Sequence, residues 1–188
     1  MIPNLPKPEI NFDLSKKIFV KAGVLSNDAC EELLNTSIES LNKGEDKYPE
    51  FFTTSFSSCL LPLDHSIHSD LQETYSAINN FFNFDISFAE PYEVKRYQGE
   101  DYFGPHFDNY GALSENIDRK LTIVMFLSKE NSYAGGELNV FGKDIKMEQG
   151  SVVAFPSFFP HSVKKSLPEN DGASLLGSGE ITGSDQNS

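Results

Sequence analysis

Positive charge is scarce in this chain of 188 residues. Fifteen lysines and arginines stand against 28 aspartates and glutamates, a formal net charge of −13. A surface of that sign repels polyanions, so nucleic acid and anionic membranes are not expected partners. The acidic residues are spread along the chain rather than gathered in one block, which describes a solvated surface and not an acidic tail. Cysteine is nearly absent. Cys30 and Cys59 form no Cys-x-x-Cys pair and are too few for a disulfide scaffold, so both read as reduced, structural thiols. No run approaches the roughly 20 apolar residues of a membrane span. The opening residues Met1 to Pro8 lack the basic start and apolar stretch of a signal peptide, and a cytoplasmic location is expected. Tryptophan is missing altogether, while phenylalanine is abundant at 16. An apolar content of 38% over this length suits one domain with its own core.

Proline-rich residues 1–16 read as an extended segment, ahead of a domain over 17–176. Lys17 to Val24 has the pattern of a short strand. A helix follows: Asp28 and Glu31 fit a capping box, Leu33, Leu34, Ile38 and Leu41 recur at helical spacing, and Gly44 closes it. A strand is expected around Phe52 to Leu60. Ile67, Leu71, Tyr75, Ile78 and Phe82 predict a second helix over Ser66 to Phe82, with His65 and His68 as exposed polar residues at its start. From about residue 84 short β-rich segments alternate with turns. Strands are expected near Ile86–Tyr97, Lys120–Leu127, Glu137–Phe141, Ser151–Phe155 and Ser162–Lys165, with a last one at Ala173–Leu176. Helices first and short strands after predict an α+β chain, mainly β, whose second half is a sandwich or jelly-roll barrel. Residues 177–188, polar and rich in glycine, read as a disordered tail.

One constellation carries chemistry. His106-Phe107-Asp108 sits where a strand runs into a turn. Alternate strand residues share a face, so His106 and Asp108 can point inward while Phe107 points out. His161 arrives on a later strand, and a barrel brings distant strands together. Two imidazoles and one carboxylate hold one face of a metal and leave the other open, the arrangement of non-haem Fe(II) oxygenases. Either histidine alone would read as a satisfied polar side chain.

The surrounding residues resemble a known family. Arg96 through Asn109 looks like the first metal-binding segment of prolyl 4-hydroxylase-like Fe(II)/2-oxoglutarate dioxygenases. Arg119 to Ser128 resembles their next core strand, Gly135-Gly136-Glu137-Leu138 their Gly-Gly-Glu turn, and Gly150 to Val163 their distal-histidine segment. The resemblance implies a double-stranded β-helix (jelly-roll) core with N-terminal supporting helices. It implies Fe(II) on His106, Asp108 and His161 as the catalytic centre, 2-oxoglutarate as cosubstrate, O2 as oxidant and ascorbate as an accessory reductant. The expected reaction is hydroxylation of an aliphatic C–H bond in a prolyl-like peptide or a small amino-acid-like molecule. Tyr97 matches a tyrosine that in relatives hydrogen-bonds the cosubstrate. Gly135 and Gly136 are expected to serve as backbone, letting strands approach closely.

The pattern breaks after His161. Relatives carry a basic residue about ten positions on, which pairs with the far carboxylate of 2-oxoglutarate. Here no arginine follows Arg119, and alignment puts Gly172 at that place. An unpaired buried carboxylate costs on the order of 3–5 kcal/mol, about two to four decades of affinity. Three explanations stand open. Another cation substitutes, with Lys120 the candidate because it shares a strand face with Thr122, Val124 and Phe126. Alternatively, the chain is a metal-binding relative of impaired activity. In the third, the cosubstrate or the alignment of the tail differs. On the first, Tyr97, Lys120 and Thr122 form the cosubstrate-binding set.

Overall fold

The computed structural model describes residues 13–41, 54–84, 86–109, 118–167 and 173–183. Twelve strands and three α-helices lie within them. In chain order these are β1 (Phe19–Lys21), α1 (Asn27–Leu41), β2 (Thr54–Ser55), β3 (Ser57–Leu60), α2 (Ile67–Asp70), α3 (Gln72–Phe82), β4 (Ile86–Ala89), β5 (Glu93–Tyr97) and β6 (Tyr102–His106). There follow β7 (Asp118–Phe126), β8 (Leu138–Val140), β9 (Lys143–Ile145), β10 (Val152–Pro156), β11 (His161–Val163) and β12 (Ser174–Gly183). The strands form two antiparallel sheets. The larger runs β1-β10-β7-β12-β5-β3, with β4 also on β12; the smaller runs β2-β6-β11-β8-β9. The jelly-roll expectation holds: two sheets face one another, and the helices cover the larger one.

Period-two patterning explains the layering. Along β7, Leu121, Ile123 and Met125 pack with helix residues Cys30, Leu33 and Ile78, and with Leu71 between α2 and α3, on the outer face. Their alternates Val124 and Phe126 pack with Phe103, Leu138, Val140 and Val163 between the sheets. Strands buried on both faces read as near-continuous apolar runs, and this is why the core strands were legible.

Several elements differ from expectation. Helix α1 is capped by Ser26, whose Oγ accepts the Ala29 N–H at 3.1 Å; Asp28 already lies inside the helix. Gly44 falls outside the described residues. The second helix breaks at Leu71 into α2 and α3. The Ile86–Tyr97 strand divides at Glu90-Pro91-Tyr92, because proline supplies no ladder donor. Leu14–Lys16, expected as extended, is one 3-10 turn held by Asp13. His68 is not an exposed polar residue but half-buried, its ring 5.2 Å from that of Tyr92.

The largest difference is at the end. Gly177–Gly183, expected to be part of a disordered tail, continues β12, which pairs with β5 over Ser174–Ser178 and with β7 over Leu176–Gly183. Two glycines look like a loop in sequence. Here they are close-packing sites: a Cβ on Gly177 would lie 2.6 Å from Met125 Cε, and one on Gly179 2.5 Å from the Tyr92 ring. Residues 184–188 lie outside the described set.

Candidate metal centre

β6 and β11 are neighbours in the smaller sheet, and His161 stands opposite His106 in their register. The imidazole centroids are 4.2 Å apart. Asp108 follows β6 by two residues, and its N–H donates to Ser157 O at 3.0 Å, which seats it beneath the end of β10. Candidate ligand atoms of His106, Asp108 and His161 all lie within 4.8 Å of one another, and all three residues are buried. Phe107 between them is 49% exposed, so the outward orientation of the middle residue is seen directly.

Hydrogen bonds decide which atoms face inward. His106 Nδ1 lies 2.9 Å from Gly104 O, and His161 Nδ1 lies 3.0 Å from Phe159 O. A carbonyl can only accept, so each Nδ1 carries the proton and each Nε2 presents its lone pair. The two Nε2 atoms lie 3.5 Å from Asp108 Oδ1 and 3.2 Å from Asp108 Oδ2, respectively. Backbone carbonyls behind ligating histidines are the usual means of fixing tautomer and ring orientation. The donor set therefore fits a divalent metal such as Fe(II), with three protein ligands on one side.

Electrostatics agree. Burial first, then the charge a protonated His161 would carry, lowers His106 to about 4, so its imidazole is neutral at neutral pH. Burial alone would raise Asp108. The imidazoles in their protonated form, His161 first and then His106, together with the Thr122 hydroxyl, outweigh it and hold the carboxyl well below the usual range. Thr122 Oγ1 donates to Asp108 Oδ2 at 2.5 Å. Rings wall the site: Phe103 stacks on His106 at 3.8 Å, and Phe155 meets His161 edge-on at 5.0 Å.

A cavity of about 30 Å³ adjoins the three residues, lined also by Tyr97 and Thr122. Lys120 is not among its lining residues. Its Nζ lies 3.8 Å from Asp118 Oδ2, and its carbonyl accepts the Ser157 N–H. Thr122 supports the candidate ligand Asp108 directly. Lys95, Ser178 and Glu180 line the cavity and were missed in the sequence. For Lys95 a signal existed, since it stands two residues before Tyr97 on one strand and so shares its face. Ser178 and Glu180 were hidden in the supposed tail. Burial, then the charge of Asp108, pushes Glu180 up to about 7 against the opposing effect of Arg119 and Lys95. Beyond lies a chamber of about 390 Å³, sharing Lys95, Phe103, Asp108, Ser178 and Glu180 with the inner cavity and adding Glu90 and Arg119.

Fold and site together define a jelly-roll protein with two histidines and a carboxylate gathered between its sheets. Comparison with known proteins shows what the chain is similar to. Residues 92–171 match the model of the 2OG-Fe(II) oxygenase superfamily. A PKHD-type hydroxylase of Shewanella oneidensis is 43% identical over 74 residues, which are 36% of this chain and 33% of the relative. The matched stretch thus spans about a third of that relative's length. Among solved structures, the viral collagen prolyl hydroxylase of Paramecium Bursaria Chlorella virus-1, in its 2OG complex, superposes with a TM-score of 0.69 at 18% identity, covering 89% of this chain and 96% of that one. A Trichoplax adhaerens prolyl hydroxylase in complex with a hypoxia inducible factor oxygen degradation domain peptide gives 0.63 at 15%, covering 89% and 84%. The matched segment is thus similar to 2OG-Fe(II) oxygenases, and the fold is that of the prolyl hydroxylases among the solved structures.

Proposed function

We propose that this protein is an Fe(II)- and 2-oxoglutarate-dependent dioxygenase that hydroxylates an aliphatic C–H bond. One observation carries the proposal: both His Nε2 atoms converge on Asp108 while both Nδ1 protons are spent on carbonyls of their own segments. His106, Asp108 and His161 would hold the iron. When bound, ferrous iron with 2-oxoglutarate supplies the oxidative chemistry, in which O2 and the keto acid become succinate, CO2 and one oxygen atom placed in the substrate.

The chain's own residues do the rest. Thr122 keeps Asp108 ionised and oriented. Phe103 and Phe155 hold the imidazoles and keep bulk water from them. Tyr97 would donate to a cosubstrate oxygen, a role supported by its burial and its place in the cavity lining. A peptidyl, prolyl-like or small amino-acid-like substrate is the proposed class. It is supported by the peptide complex of the Trichoplax relative. A cytoplasmic setting, where ferrous iron and free thiols persist, belongs to the same proposal. It is supported by free Cys30 and Cys59. Among the described residues no helix is long and apolar enough to cross a membrane.

The test is succinate release from 2-oxoglutarate with Fe(II), O2 and ascorbate, beside iron stoichiometry. Wild type should bind one iron and form succinate. His106→Ala should lose both. Stoichiometric iron without any succinate would instead describe a metal-binding relative of impaired activity, and iron content unchanged in His106→Ala would remove the metal site itself.

A further inference from the structure

The arginine expected after His161 has no counterpart at Gly172, and Lys120 lies outside the cavity lining. The inner cavity, about 30 Å³, is small beside the outer chamber. A five-carbon keto acid chelated at the metal would extend beyond it. The chamber of about 390 Å³ that shares the Lys95–Phe103–Ser178 wall has the room.

Two cations line that chamber. Arg119 is taken by Glu90, with Nε and Nη2 donating to the two carboxylate oxygens at 2.8 and 2.7 Å. Lys95 is placed differently. It is the only lysine or arginine lining the inner cavity among the described residues. Its side chain is 12% exposed, although a long flexible stem normally carries an ammonium out to water. Burying that charge is costly without partners. Those it has hold it in place: Ser178 Oγ accepts at 2.9 Å, Glu93 Oε2 lies at 2.9 Å, and the ring centroids of Phe103 and Phe56 lie at 5.6 and 5.8 Å. Phe103 in turn stacks on His106. The ammonium is thus one aromatic ring away from a metal ligand, and two of its three donors are engaged.

We propose that Lys95 on β5 is the anchor for the distal carboxylate of 2-oxoglutarate, in place of the absent arginine, with the cosubstrate's tail lying in the outer chamber. This rests on the proposed iron and keto-acid function. Glu93 already offsets part of the Lys95 charge, and Glu180 in the same chamber works against an anion. The selectivity expected is therefore about tenfold, or about 1.4 kcal/mol, not thousands.

The experiment compares 2-oxoglutarate with 2-oxobutyrate, which has the same chelating head and no distal carboxylate. Each is titrated without O2 into the Fe(II)-loaded protein, and the visible charge-transfer absorbance of the chelate is read. Wild type should bind 2-oxoglutarate about tenfold tighter. Lys95→Met should bring the ratio near one with iron stoichiometry and 2-oxobutyrate affinity unchanged, and Lys95→Arg should keep most of it. A Lys95→Met protein that retains the full ratio overturns the proposal. Should that variant fail to take up iron, Ser178→Ala, which unties the ammonium, must lower the ratio several-fold; an undiminished ratio there overturns the proposal as well. Iron-loaded wild type that binds neither acid overturns the cosubstrate assignment itself, a result distinct from the loss of Lys95 alone.

Discussion

Thr122 sits behind the candidate metal ligands, and its hydroxyl donates to the Asp108 oxygen that also faces His161. Thr122→Val keeps the shape and removes the donor. Partners of this kind are worth about 10–100-fold in metal affinity. That loss is the expected outcome, read by competition against a chromogenic chelator; unchanged affinity would mean that Asp108 needs no support. Glu180 gives a pH signature in the metal-free protein. Its folded value is about 7, above the ordinary 4.5. Between those values the folded chain holds a proton that the unfolded chain has released. Its contribution to stability is complete below about 4.5 and is lost as pH rises through about 7. Glu180→Gln, which mimics the neutral acid, should therefore match wild type at acid pH and be more stable above pH 7. Urea midpoints on both sides of that window check this, and a variant less stable than wild type at the alkaline end contradicts it.

Turns matter at the level of elements because they set how closely strands approach. Gly136 has φ +66, and a Cβ there would lie 2.7 Å from Ser174 Cβ, where β12 begins. Gly99 has nearly the same φ, +67, with open space around it. Alanine at Gly99 should cost about 1 kcal/mol, the strain of a left-handed residue alone. At Gly136 the clash is added, and about 2–4 kcal/mol is expected. Denaturant unfolding of the two variants separates conformation from contact, and equal losses would show that the wall around Gly136 yields freely. The residues of the Gly-Gly-Glu turn were visible in the sequence, but the neighbour that makes them necessary was not. The Ser26 cap on α1 was blurred for a related reason: three polar residues in a row, Ser26-Asn27-Asp28, offer several caps, and only the helix axis selects among them.

For the whole molecule, β12 is the strand that joins the parts. It lies between β7 and β5, and its inward residues Ser178 and Glu180 line both the metal cavity and the outer chamber. Ending the chain after Leu176 would remove the partner of β7 from Gly177 to Gly183 and all of its pairing with β4. Such a protein should lose cooperative thermal unfolding and iron uptake together. A sharp transition with iron still bound would show that the sheet closes without this strand.

The sequence by itself determined the layered β architecture, through period-two runs such as Leu121 to Phe126. It also determined the composition of the candidate metal set, because His-x-Asp on a strand leaves little choice of face and its neighbouring segments resemble one family in order. Tertiary structure alone decided which cation reaches the site and where the last strand ends. Lys95 and Lys120 are both lysines on inward-facing strand positions, and only the path of each stem past its neighbours separates them. Gly177 and Gly179 look like a loop until Met125 and Tyr92 occupy the space a side chain would need. Periodicity is a local property carried by the chain. Proximity across strands, and the burial that shifts Glu180 and confines Lys95, exists only once the sheets have closed.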